Sequence, residues 1–432
     1  MVTLILPSVG DLPAELIQLL VESAGPQRLA LVGGAVRDLL LHRVHNDPWR
    51  GLPDLDLVIE GSAVAMVQRL PGVMAAQEHS AYGTVEVELQ VGGQVVLLDV
   101  ATARREHYPE LGENPVVTFG ALEDDLARRD FTINAMALLL SPDSRGSAAL
   151  LDPHGGQQDL ERRQLRLLHD GSVADDPTRL LRAARYAARL GFELAPEALV
   201  QVRATLAAWP WSWRPGDPPG QAPSALGTRL RMELELLLER EPWPQALAAL
   251  SRWGALQLLD ASLQQEPEQA LQRRLRRADR LGLPLLPALV AGAADPLALA
   301  ERLQLPHRQH KLLVQWLALR HHWHVGAELG ERGANGSPLC WGAARWSDWL
   351  EAPGWTAEAV ALELAAGGCA PGPEPQRCLP RRPLLRWWWR WRHIQPPLSA
   401  TALMAAEGLP PGPALGQRLR QLRFERLMGE RC

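Results

Sequence analysis

The rhythm of apolar and polar positions changes near Leu151. Before it, short apolar runs broken by glycine and proline predict strands over residues 27–32 and 54–59. Residues 83–89 alternate strictly (Thr-Val-Glu-Val-Glu-Leu follows Gly83), and 94–100 follow the Gly92-Gly93 turn, which predicts a hairpin. Helical spacing covers residues 35–42 and 62–70. Residues 103–120 are polar, contain proline and predict a loop, and 124–140 predict a helix running into an apolar stretch. Together these make an α+β unit around one mixed sheet.

Beyond Leu151 the strand signal stops and residues 176–190, 222–239, 244–259, 264–281 and 296–303 all carry helical spacing. Residues 209–223 are rich in Trp, Pro and Gly and read as a connector, and 326–338 and 365–383 are irregular boundaries. No regular repeat of solenoid length is present.

Hydrophobic content of 47% with 22% charged residues fits a globular protein and excludes disorder for most of the chain. No run reaches bilayer-spanning length and no charged leader precedes an apolar block, so the expectation is a cytoplasmic protein with no membrane partner. Cys340, Cys369, Cys378 and Cys432 form no Cys-x-x-Cys pair and read as free thiols. The net charge of −4 argues against indiscriminate nucleic-acid binding, but from Arg377 onward eleven arginines meet three acids. Arginine's planar fork suits phosphates and base edges. Codon bias explains why Lys311 is the only lysine; it does not explain the clustering.

The chemistry starts at Asp54 and Asp56. On extended backbone, positions i and i+2 face one way, so both carboxylates share a side while Leu55 and Leu57 point into a core. Paired hard oxygen donors suit Mg²⁺ while it also holds substrate phosphates, which makes Asp54 and Asp56 candidate metal ligands and catalytic residues. Asp99, on a neighbouring strand, is a third candidate; a strand-end aspartate by itself also serves as a turn cap. The Gly33-Gly34 turn opens a helix whose free amides form a phosphate site. A dinucleotide-binding turn is the rival, but the Gly-x-Gly-x-x-Gly spacing is missing and Val36 and Arg37 stand where close approach needs small residues.

Two further blocks follow. In Arg128-Arg129-Asp130-Phe131-Thr132-Ile133-Asn134-Ala135, the arginines suit a triphosphate or a sugar, and the spacing puts Asp130 and Asn134 on one helical face. In Asp175-Asp176-Pro177-Thr178-Arg179, the proline after an acid marks a helix start, and Asp176 and Arg179 face the same way, with Arg182, Arg185 and Arg189 following. Cytosine and adenine each set an amino donor beside a ring-nitrogen acceptor. A carboxylate and an arginine can read that pair without a template, whereas uracil and guanine carry a carbonyl in place of the amino group.

In this order the blocks resemble the class II tRNA 3′-end nucleotidyltransferases of the DNA-polymerase-beta-like superfamily, whose N-terminal half bacterial poly(A) polymerases share. The resemblance is dense from Leu31 to Phe192 and includes Asp152-Pro153, Gly155-Gly156 and Asp159-Leu160. It implies a nucleotidyltransferase head over residues 1–151, then an all-helical neck (152–225), body (226–340) and tail (341–432). It also implies tRNA as partner and ATP and CTP as substrates, with oligomeric state left open. Gly33, Gly34 and Arg37 would hold the triphosphate, Asp54 and Asp56 the Mg²⁺, and Arg129, Asp130 and Asn134 the sugar or phosphates. Asp176 and Arg179 would select the base, with Arg182 and Arg185 alongside.

Asp175 replaces the family's usual glutamate and is expected still to orient Arg179; Thr228 stands before Arg229 where the family commonly has Glu-Arg. Residues 408–413, leading to a helix from Leu415, resemble the family's tail. The product stays open among CCA, A alone, CC alone and poly(A). The loop at 103–120 lies where the family carries an element tied to A addition, which CC-only enzymes would shorten, so its length places CC-only last. A non-catalytic RNA-binding module is the rival from another class. His307, His310, His321, His322 and His324 lack nearby acids and read as a helix pair facing solvent, and some tryptophans of Trp387-Trp388-Trp389-Arg390-Trp391 must be core.

Overall fold

A computed structural model describes residues 14–48, 55–141, 148–328, 341–367 and 379–430. Asp54 and the four cysteines lie outside the described residues. The chain divides into two compact units, one of Met1–Arg214 with Pro223–Ala255, the other of Pro215–Ala222 with Leu256–Cys432.

The first unit is built on a seven-stranded mixed sheet. Its strands are β1 (Leu29–Val32), β2 (Leu55–Ile59), β3 (Val73–His79), β4 (Thr84–Val91), β5 (Gln94–Thr102), β8 (Ala137–Leu140) and β9 (Ala149–Leu151), in the order β3-β4-β5-β2-β1-β8-β9. A separate hairpin pairs β6 (Arg104–His107) with β7 (Val116–Phe119). The short strands β10 (Gln164–Leu165) and β11 (Glu193–Leu194) pair in parallel.

β1 is central, so every one of its side chains is buried, and Leu-Ala-Leu-Val answers with apolar residues alone. β2 runs parallel to β5 and antiparallel to β1. Leu55, Leu57, Val58 and Ile59 are buried and Asp56 is not.

The helices of this unit are α1 (Ala14–Ala24), α2 (Gly34–Arg43), α3 (Ala63–Arg69), α4 (Leu122–Ala127), α5 (Gly156–Arg162), α6 (Ser172–Asp175), α7 (Thr178–Leu190), α8 (Pro196–Ala208), α9 (Thr228–Arg240) and α10 (Trp243–Trp253). α7 starts after Pro177 and stops at Gly191, whose φ of 71° is open to glycine. It packs its Leu180, Leu181, Ala183 and Ala184 side against α9 and α10.

Several sequence expectations change, the first being the all-helical run expected after Leu151, which the β10/β11 pair interrupts. Residues 103–120 are not a loop throughout: Arg104–His107 and Val116–Phe119 pair as a hairpin, and its first strand, Arg-Arg-Glu-His, carries no apolar residue, which masked its strand character. The apolar stretch that follows the helix of 124–140 is the strand β8, and burial between β1 and β9 removes any polar face from it. Asp130 and Asn134 meet through a 3-10 turn at Thr132–Asn134, not along an α-helix. β3 is an edge strand with mostly exposed side chains, which hid it from the hydrophobic pattern.

The second unit is helical: α11 (Ala261–Gln265), α12 (Glu268–Arg280), α13 (Leu285–Val290), α14 (Pro296–Arg302), α15 (His307–Glu328), α16 (Ala343–Leu350), α17 (Ala357–Ala366), α18 (Arg381–Trp389), α19 (Ala400–Glu407) and α20 (Pro413–Met428). The five histidines sit on the single helix α15 rather than on a helix pair. Trp387, Trp388 and Trp391 are buried and Trp389 is 65% exposed. Arg392 caps the Trp388 ring at 3.5 Å. No helix of the described residues is long and apolar enough to cross a membrane.

Candidate active site

Two ends of one cleft, about 600 Å³ in volume, are set by different parts of the first unit. At the sheet end, parallel pairing places Asp56 directly beside Asp99, and antiparallel pairing places Glu86 beside Asp99. Residues in register share a face, so these acids form a row across three adjacent strands. Asp56, Asp99 and Glu86 all line the cleft. The Gly33-Gly34 turn closes over Asp56. Gly33 has φ 70° and ψ −136°, a region only glycine enters readily. A methyl group there would lie 3.0 Å from Asp56 Oδ2 and 3.1 Å from Arg129 Nη1. The α2 N-terminus thus brings bare backbone against a carboxylate and a guanidinium.

Arg129 and Arg128 both ride on Asp125, which is fully buried. Burial alone would raise the Asp125 pKa, but the two guanidiniums outweigh it and hold the acid below its ordinary range. Arg128 also reaches Glu106 of the hairpin at 2.8 Å. Glu106 accepts from Arg104 at 3.0 Å and from the Tyr108 hydroxyl at 3.2 Å. Burial, then the Glu106 charge, pushes the Tyr108 phenol well up, so it stays a neutral donor.

Asp130 accepts from Arg182 Nε at 2.8 Å, Asn134 Nδ2 at 3.0 Å and the Phe131 amide at 2.8 Å. Burial opposes its ionisation, and the Arg182 charge with the Asn134 bond more than offsets that, leaving its pKa lowered. Asn134 in turn accepts from Arg37 Nη1 at 2.8 Å. Arg37 is 2% exposed, paired with Asp38 at 2.8 Å and set 5.1 Å from the Tyr186 ring centre.

At the helical end, Asp176 is buried; its Oδ1 accepts from the Thr178 amide at 3.1 Å and hydroxyl at 2.6 Å, and its Oδ2 accepts from Arg229 of α9. Arg179 is buried too and reaches Ser172 Oγ at 2.5 Å and the Arg128 carbonyl at 3.1 Å. Asp175 faces Arg179 by way of His169: its carboxylate lies 3.8 Å from His169 Nε2, which lies 3.5 Å from Arg179 Nη1, and the Arg179 charge acts on it.

Gly33, Gly34, Asp56, Asp99, Arg129, Asp130, Asn134, Asp176, Arg179 and Arg182 therefore line one cleft. Arg37 lies behind it and supports Asn134. Arg185 does not line it: its guanidinium pairs with Glu233 at 2.6 Å and Glu241 at 3.3 Å. Arg128, the first arginine of its block, lines the cleft too, and Arg104, Glu106, Tyr108, Tyr186 and Arg229 line it without having been assigned there from sequence. Arg229 had a signal, its place in the block after Thr228; the hairpin residues had none.

Comparison with known proteins agrees with this geometry. The family model described as the poly A polymerase head domain matches residues 29–166. A CC-adding tRNA nucleotidyltransferase of Deinococcus radiodurans is 40% identical over 369 residues, covering 82% of this chain and 84% of that protein. An A-adding tRNA nucleotidyltransferase of Halalkalibacterium halodurans is 42% identical over 184 residues, 41% of this chain and 40% of that protein. Among solved structures, a CCA-adding enzyme in its apo form II superposes with a TM-score of 0.67 at 22% identity, covering 98% of this chain and 94% of that one. Identity of 40% with a relative matched over 84% of its length establishes the kinship: the chain belongs to the tRNA nucleotidyltransferase family.

Proposed function

We propose that this protein is a template-independent nucleotidyltransferase that adds cytidine nucleotides from CTP to the 3′ end of tRNA and stops at CC. The observation that carries the reading is the cleft itself, with in-register carboxylates at one end and a buried Asp176/Arg179 pair at the other.

The carboxylate end suits Mg²⁺. Asp56 and Asp99 offer hard oxygen donors on one face, Asp54 is expected from the sequence spacing to add a third, and the Gly33 backbone keeps side-chain bulk away. Bound there, the metal would activate the tRNA 3′-hydroxyl and offset charge on the departing pyrophosphate. The Gly33-Gly34 turn and Arg129 would hold the triphosphate, with the α2 amides favouring its negative charge. Asp130 and Asn134, locked to each other and to Arg182 and Arg37, would fix the sugar. Asp176 would accept from the cytosine amino group and Arg179 would donate to its ring nitrogen. The carboxylate retains acceptor capacity beyond its bonds to Thr178 and Arg229.

Two observations favour CC as the product, although loop length placed it last. The segment at 103–120 is a hairpin tied down at several points, where a switching element needs two arrangements. The Gly112 amide donates to the Asp175 carbonyl at 3.1 Å, the Gly112 carbonyl accepts from the Ala225 amide at 2.9 Å, and Glu106 anchors its first strand to Arg128. In addition, the CC-adding relative is matched over 84% of its length and the A-adding one over 40%.

The test is incorporation of labelled CTP or ATP into tRNA transcripts ending before CCA, in C, or in CC. Two C additions and no A on the CC end are expected. A on the CC end would return the reading to CCA or A addition, and no incorporation anywhere would favour a binding module. Asp54→Ala should abolish incorporation and leave tRNA binding nearly intact; near wild-type turnover would sink the metal assignment.

A further inference from the structure

Arg179 is aimed by groups that no motif points to. Its Nη1 lies 2.5 Å from Ser172 Oγ, 3.3 Å from the Ser172 carbonyl and 3.5 Å from His169 Nε2, and its Nη2 donates to the Arg128 carbonyl at 3.1 Å. Ser172 is fully buried at the start of α6, one turn before Asp176. Asp175, the residue expected to hold Arg179, lies 3.8 Å from His169 Nε2, and Ser172 supplies the shortest hydrogen bond to Arg179.

We propose that Ser172 is a positioning residue for base selection, and that its hydroxyl fixes the plane of the Arg179 guanidinium. The inference rests on the function proposed above. A guanidinium is planar and only donates, so anchoring both terminal nitrogens on separate elements removes its freedom to rotate. Held this way it offers donors to a ring-nitrogen acceptor, which cytosine presents and uracil does not. Without the hydroxyl, Nη1 keeps only a carbonyl at 3.3 Å and a histidine nitrogen at 3.5 Å, and the fork can turn. A turned fork can donate to the uracil O4 carbonyl. Loss of Ser172 Oγ therefore weakens the discrimination against UTP, with the Asp176 carboxylate still opposing the uracil carbonyl.

The experiment uses the full chain, a tRNA transcript ending before CCA, and CTP or UTP supplied separately, with kcat and KM measured for wild type and Ser172→Ala. The kcat/KM ratio of CTP over UTP should fall about tenfold in the variant, within the range that the Asp176 and Arg179 contacts to one base edge supply together. The ratio does not depend on how much of the variant folds, because unfolded protein lowers both rates alike. A ratio within twofold of wild type, with both rates falling together, assigns Ser172 a merely structural role and overturns the proposal. A wild type that selects CTP beside a variant that selects it equally overturns this inference alone; a wild type that incorporates neither nucleotide overturns the proposed function and this inference with it.

Discussion

Replacing Asp130 by Asn tests whether the charge buried between the head and α7 holds the two together. Asp130 is 7% exposed and accepts three hydrogen bonds, from Arg182, Asn134 and the Phe131 amide. An amide in its place has one oxygen and one NH₂, so whichever way it turns, at least one of these donors meets another donor. Arg182 keeps Glu233 at 3.3 Å and the Tyr186 hydroxyl at 3.3 Å, which softens its loss. Breaking a buried pair outright costs about 3–5 kcal/mol. With those remaining partners the expected loss is about 2–4 kcal/mol.

For a unit of this size that lowers the first unfolding transition by about 5–15 °C in calorimetry. The pH dependence supplies a second check. The folded pKa of Asp130 is lowered, so its contribution is present above the unfolded value of about 3.9 and is lost as pH falls through the folded one. The gap between wild type and Asp130→Asn should stay constant from about pH 8 to pH 5 and narrow below about pH 4. A gap under 1 kcal/mol at neutral pH, or one as wide in acid as at neutrality, would refute the reasoning.

Other substitutions probe the remaining features. Arg229→Ala leaves the buried Asp176 carboxylate with only the Thr178 amide and hydroxyl, so it should cost about 1–3 kcal/mol and raise the KM for CTP; an unchanged KM would separate Arg229 from base selection. Gly33→Ala forces a methyl within 3.0 Å of Asp56 Oδ2 at a φ of 70° and should cost about 1–3 kcal/mol while cutting turnover, visible in denaturant melts and single-turnover incorporation. In the second unit, Glu363 is 2% exposed and accepts from Trp316 Nε1 at 2.8 Å. Burial raises its pKa against the pull of Arg320 and that bond, so ionising it costs stability as pH rises through the raised value. Glu363→Gln should therefore be near neutral at pH 4 and raise the melting temperature at pH 8; a lower melting temperature at pH 8 would contradict this.

What the sequence determined by itself was everything that depends on local order. Alternation in 83–89 and the glycine turns marked the strands, Pro177 marked the start of α7, and the ordered blocks from Gly33 to Arg179 named the chemistry. Those signals are readable because strand pleat, helix caps and motif spacing act over a few residues. Only the tertiary structure decided which residues stand together. Asp99 became the neighbour of Asp56 through the parallel register of β2 and β5, two strands joined through 34 intervening residues that carry no pairing code. Arg185 and Arg182 are three apart on one helix, yet Glu233 and Glu241 draw one out of the cleft while Asp130 keeps the other in it. Arg229 found Asp176 from 53 residues away, and Arg179 found the Ser172 hydroxyl, which no motif marks. Such pairings are set by where buried charge finds its counter-charge once the chain has folded, and that depends on packing across elements rather than on any stretch of sequence.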